Sequence, residues 1–114
     1  MTIINEYFEH FAHRDIERLS ELYAEDVILK DWIDSFEGKE NVLNANKELF
    51  KNASSISVQV KDICSSGWTF ACQIRINLTI AGFDQFFDVV DVIKINEHNK
   101  IQSIEAYVMN PSGT

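Results

Sequence analysis

Apolar positions recur at helical spacing near the start of the chain and at a spacing of two further on. Ile3, Ile4, Tyr7, Phe8, Phe11 and Ala12 fall on one stripe and predict an amphipathic first helix, broken at His13-Arg14. Asp15 is placed to cap a second helix, whose stripe is Ile16, Leu19, Leu22 and Tyr23. Val27 to Asp31 reads as a short strand, and Trp32 to Gly38 turns back through a hairpin at Ser35-Phe36-Glu37. Gly38 to Lys51 predicts a third helix with Val42, Leu43, Asn46, Leu49 and Phe50 on one side.

The period then becomes two. Ile56, Val58 and Val60 alternate with polar residues, and so do Trp68, Phe70, Cys72, Ile74, Ile76, Leu78 and Ile80, a long run for one strand. Ala81-Gly82 turns into a strand ending Gln85 to Ile95, and the turn Asn96 to Lys100 leads to a last strand, Ile101 to Met109. The tail from Asn110 to Thr114 is expected to fray. Helices collected on one side of a curved antiparallel sheet are the α+β solution. A chain of 114 residues suits one domain, residues 1–114, with a conical pocket between its two layers.

Composition narrows the class. Hydrophobic residues make up 46% of a chain with one Pro and four Gly, which is a folded chain and not a linker. A net charge of -8 argues against nucleic acid or an anionic membrane as partner. No apolar run is long enough to span a bilayer, and no secretory leader is visible in MTIINEYFEHF. Cys64 and Cys72 flank a turn at Ser65-Ser66-Gly67; Cys72 is expected opposite Val60 or Lys61, so a disulfide between the two is not expected. Free thiols fit a reducing cytoplasm.

Four polar side chains break the apolar faces. In QFFDVVDVIKI, Gln85 to Ile95, Asp91 shares the parity of Phe87, Val89, Ile93 and Ile95. A buried ionised carboxylate is costly unless it is paired or gives up its charge, so Asp91 is either rescued by a partner such as Arg75 or Lys94 or kept protonated. Asp31 shares the parity of Val27 and Leu29, Tyr7 lies on the buried stripe of the first helix, and Asn46 lies on that of the third. Each has a plain structural reading: a core Tyr satisfied by backbone, an Asn at a helix edge, an Asp bonding locally before a turn. Together they suggest chemistry. A carboxylate, Asp31, can remove a proton next to a carbonyl, and the enolate oxygen needs donors, which Tyr7 and a neutral Asp91 can be.

The run YFEHFAHRDIERLSELYAEDVILKD, Tyr7 to Asp31, resembles the first two helices and first strand of bacterial Δ5-3-ketosteroid isomerases. FDVVDVIKINEHNKIQSIEAY, Phe87 to Tyr107, is similar to that family's last hairpin. The resemblance implies catalytic roles for Tyr7, Asp31 as base and Asp91 as the protonated acid of the oxyanion hole, which is the known chemistry of those isomerases. The wider resemblance is to the nuclear transport factor two-like superfamily with its SnoaL-like cyclases. It implies a cone-like fold, a curved antiparallel sheet wrapped around three N-terminal helices. The YAED segment and the NEH turn recur widely in that superfamily and are read as carrying no chemistry.

The chain departs from the isomerase pattern at several places. Trp32 stands where the family has Pro after the base, Asn46 where some relatives have a supporting Tyr, and Val108 where a Trp commonly follows Ala-Tyr. A smaller or flatter ketone is therefore as open as a steroid. Trp32, Phe36, Asn46, Phe50, Phe87 and Val108 are the expected substrate wall, and no cofactor or metal is called for. A cyclase or dehydratase using the same Asp31 is a competing reading, as is an epoxide hydrolase with an Asp-Arg-Asp cluster that needs Arg75 inside. A non-catalytic binding module is a third. The second face of the long Trp68 to Ile80 alternation is expected to hold a partner subunit in a homodimer.

Overall fold

The computed structural model describes residues 2–114. Helix α1, Thr2–Ala12, buries Ile3, Ile4, Tyr7 and Phe8, as its apolar spacing dictates. It ends at Arg14, whose φ of 57° reverses the chain. The Arg14 guanidinium is tied to the carbonyl of Ala53 at 2.7 Å. Asp15 then caps α2, Ile16–Leu22, by accepting from the Arg18 amide at 3.1 Å. Tyr23 is not on that helix, contrary to the apolar pattern. It opens strand β1, Tyr23–Lys30, which pairs with β2, Ser35–Glu37. Gly38, at φ 89°, turns into α3, Lys39–Asn52, while its amide donates to Val27 at 2.8 Å. A side chain at that φ would be strained, so glycine suits the corner.

Strands β3 (Ala53–Ser66), β4 (Thr69–Ile80), β5 (Phe83–Ile95) and β6 (Ile101–Val108) complete one sheet, ordered β2-β1-β6-β5-β4-β3. The sheet is curved and unclosed. It is mixed, not antiparallel throughout: β1 runs parallel to β6. The helices pack over one face. Cys72, Ile74 and Leu78 of β4, Val89 and Ile93 of β5, and Ile101 and Ile104 of β6 are buried there. Each such side chain stabilises the fold by about 1.5–3 kcal/mol, which is what holds the helical layer on the sheet.

Register settles which face of β4 is inner. Its even-numbered residues face the helices, and Arg75 faces out. Arg75 forms a bidentate pair with Asp88, at 2.8 and 2.9 Å, and lies 4.5 Å above the Phe86 ring. Asp91 is therefore paired with neither Arg75 nor Lys94. A bulge between Val60 and Asp62 moves Cys72 opposite Ile63, not Val60 or Lys61, and Cys64 opposite Ala71. Both thiols are free, Cys64 exposed and Cys72 buried.

The tail does not fray. Met109 donates to the Asp88 carbonyl at 2.9 Å, and the Phe86 amide donates to Gly113 at 3.2 Å. The Asn110 side chain accepts from the Asp88 amide and donates to the Phe86 carbonyl, both at 2.8 Å. The tail thus continues the pairing of β5 beyond the end of β6. Among the described residues no helix is long and apolar enough to cross a membrane.

Candidate active site

Between the helices and the inner sheet face lies an open cavity of about 950 Å³. Helix α1 contributes Tyr7, Phe8 and Phe11, the β1–β2 hairpin contributes Asp31, Trp32 and Phe36, and α3 contributes Asn46 and Leu49. The sheet supplies Ile74, Ile76, Leu78, Phe87, Asp91 and Ala106. A cavity of this size, mostly apolar with a few polar groups, suits an organic molecule.

Asp91 is 6% exposed. Its ladder neighbours are Cys72 on one side and Ala106 on the other. Both have small side chains. Burial raises its pKa from the ordinary 3.8 to about 7. Of the two readings of Asp91, the ion pair does not form among the described residues, and burial favours the protonated form. Burial next to Asp91 also pushes the Cys72 thiol up to about 12, leaving it an inert core group.

Tyr7 packs against Phe11 and Tyr23, with ring centroids 6.0 and 6.4 Å apart. Burial first, then Tyr23 and Asp91, raises its pKa well above the usual phenol value, so its hydroxyl remains a donor. Tyr23 is 1% exposed and donates its hydroxyl to Oδ1 of Asn46 at 2.7 Å. Its own pKa is raised, mainly by burial and then by Asp91, while the Asn46 bond opposes the rise. The sequence reading passed over Tyr23 as part of a segment without chemistry. The available signal is its place at the helix-to-strand junction, where it opens β1.

Asp31 sits at the end of β1 and is half-buried. Its Oδ1 accepts from the amides of Ile33 and Asp34, both at 2.7 Å, while its own amide donates to Asp34. These bonds hold the turn and leave Oδ2 free. The local-bonding reading of Asp31 is therefore met, and the carboxylate also lines the cavity. Trp32 beside it packs against Phe87 at a tilt, centroids 5.3 Å apart.

Tyr7, Asp31, Asp91, Trp32, Phe36, Asn46 and Phe87 are brought to one cavity. Phe50 and Val108 are not on its wall. Phe50 sits edge-on to Phe11 in the core, centroids 5.2 Å apart, and its neighbour Leu49 takes the wall position instead. Adjacent helical residues differ by about 100° in direction, enough to exchange the two. Val108 lies beyond Ala106 and lines a shallow depression outside Trp32. Among the described residues no arginine lines the cavity, so the Asp-Arg-Asp cluster of an epoxide hydrolase is not assembled.

Comparison with known proteins is consistent with this architecture. The family profile described as SnoaL-like domain matches residues 4–104. No curated protein sequence matches. Among solved structures, a hypothetical protein with a ketosteroid isomerase-like fold from Catenulispora acidiphila, in complex with trimethylamine, superposes with a TM-score of 0.84 at 14% identity. The match covers 92% of this chain and 83% of that one. A protein provisionally named a SnoaL-like polyketide cyclase, from Shewanella denitrificans, gives 0.88 at 11% identity, covering 96% and 90% of the two chains. An LEH-like epoxide hydrolase of M. tuberculosis gives 0.87 at 12% identity, covering 98% and 84%. At these identities the likeness concerns the fold, and a fold shared by proteins of such different names selects no activity.

Proposed function

The chain belongs to the SnoaL-like domain family, and on that premise we propose that it is an isomerase shifting a double bond in a small, hydrophobic, steroid-like ketone. That superfamily includes cyclases, isomerases and epoxide hydrolases, so an enzymatic role fits its setting. The observation that favours an isomerase is Asp91: a buried, unpaired carboxyl that shares an apolar cavity with Tyr7 and Asp31.

In this reading Asp31 takes a proton through Oδ2 from the carbon between the carbonyl and the double bond. The electron pair moves into a dienolate whose charge rests on oxygen. Tyr7 and neutral Asp91 donate hydrogen bonds to that oxygen in a poorly hydrated setting, where such bonds are strong. The proton on Asp31 returns to the far carbon of the dienolate, the carbonyl re-forms, and Asp31 is again ionised. Trp32, Phe36 and Phe87 hold the apolar body of the substrate. No cofactor enters this scheme.

The test is conversion of a β,γ-unsaturated ketone to its conjugated isomer, followed by the ultraviolet absorbance of the product. Asp31→Asn should lose most of the activity, since an amide cannot accept the proton. Asp91→Asn should keep part, since an amide still donates. Equal losses would contradict these roles.

A second proposal concerns assembly. The outer sheet face carries Val90 and Tyr107, 37% and 58% exposed and opposite each other in the ladder. This face is where a second copy of the chain would pack to form a homodimer.

A further inference from the structure

Asn46 has a donor with no assigned purpose. It is 4% exposed and lines the cavity. Its Oδ1 accepts the Tyr23 hydroxyl at 2.7 Å, and that bond decides how the amide sits. With Oδ1 committed to Tyr23, the two N–H groups on Nδ2 point elsewhere. Among the described residues Nδ2 has no hydrogen-bond partner, yet it is not sealed away from open space. A nearly buried amide donor left without a protein acceptor is uncommon, because losing water without replacement is costly.

The surroundings say what such a donor meets. Tyr23 is the shared neighbour: its ring packs against Tyr7, and its hydroxyl holds Asn46. Tyr7, Asn46 and Asp91 thus line the same mostly apolar cavity. All three are at least nine-tenths buried, while Asp31 is the more exposed group.

We propose that Asn46 donates through Nδ2 to the same ligand oxygen that Tyr7 and Asp91 hold, making it a third donor of the site and a determinant of specificity. This inference rests on the enolate-binding reading above and deepens it. A ground-state carbonyl oxygen offers two lone pairs. An enolate or phenolate oxygen carries more charge and accepts a third donor readily, so Asn46 favours the charged species over the ketone. The ligand class follows: flat apolar molecules ending in an enolic or phenolic oxygen. Tyr23 acts as a positioning residue that fixes the amide.

The experiment compares binding of 2-naphthol with that of 2-methylnaphthalene, which has nearly the same shape but no oxygen, by quenching of tryptophan fluorescence. Asn46→Leu alone strands the Tyr23 hydroxyl and endangers folding. The pair Tyr23→Phe with Asn46→Leu removes both partners together, which the fold tolerates better. The reference is wild type, in which Tyr23 holds the amide in place. Relative to it, the double variant should bind 2-naphthol about tenfold or more weakly, the effect of one hydrogen bond to a charged group, and 2-methylnaphthalene equally well. Equal affinity of the double variant and wild type for 2-naphthol overturns the proposal. So does a parallel loss for both ligands, which would make Asn46 a packing residue. A wild type that prefers neither ligand would instead refute the enolate-binding reading on which the proposal rests.

Discussion

Replacing Asp91 by Asn should stabilise the protein at neutral and alkaline pH, and the gain should vanish in acid. The folded state holds the Asp91 proton with a pKa of about 7, against an ordinary 3.8. Below the lower value the carboxyl is protonated in both folded and unfolded chains and costs nothing. Above it the unfolded chain releases the proton and the folded chain does not, so the unfolded state gains and stability falls. Between pH 4 and 7 the loss accumulates at about 1.4 kcal/mol per pH unit. Its ceiling, from 3.8 to about 7, is about 4 kcal/mol. Asn has the shape and the donor of the neutral acid without the ionisation. The Asn variant should then match wild type near pH 4 and exceed it at pH 8 by up to about 4 kcal/mol, a rise in Tm on the order of 10 °C. Urea unfolding at several pH values, with NMR titration of the carboxyl carbon, checks this. A stability gap that ignores pH, a variant less stable than wild type at pH 8, or an Asp91 titrating near pH 4 would refute the reasoning.

Gly113→Ala should destabilise by about 1–3 kcal/mol, because its φ of 77° strains a side chain and the added Cβ would meet Phe87 Cζ at 3.0 Å; a melt unchanged from wild type would show that the tail is not held there. Val90→Asp should turn the expected homodimer into monomer by sedimentation while leaving the far-UV circular dichroism intact; a dimer that survives would place the subunit contact elsewhere.

Much of the site could be read from parity. Asp91 and Asp31 share the parity of apolar residues on their strands, and Tyr7 falls on a helical stripe, so the pattern aims all three inward. What escaped depends on contacts distant in sequence. Tyr23 fits equally as the last residue of a helix stripe or the first of a strand, and only the reach of its hydroxyl to Asn46 shows its purpose. Phe50 and Leu49 both suit the buried side of α3, and the choice rests on Phe11. Alternation cannot reveal strand direction, so the parallel pairing of β1 with β6 was out of reach. The tail is held by the Asn110 side chain against β5, a contact that composition does not signal.

The central claim is that Asp31 moves a proton for an oxygen held by Tyr7 and neutral Asp91. Turnover of a β,γ-unsaturated ketone by wild type, Asp31→Asn and Asp91→Asn tests it most directly. The account predicts conjugated product from wild type, at least a hundredfold less from Asp31→Asn, on the scale expected for loss of a general base (~10²–10⁴-fold), and an intermediate rate from Asp91→Asn. No product from a correctly folded wild type, or an Asp31→Asn variant as fast as wild type, would contradict it.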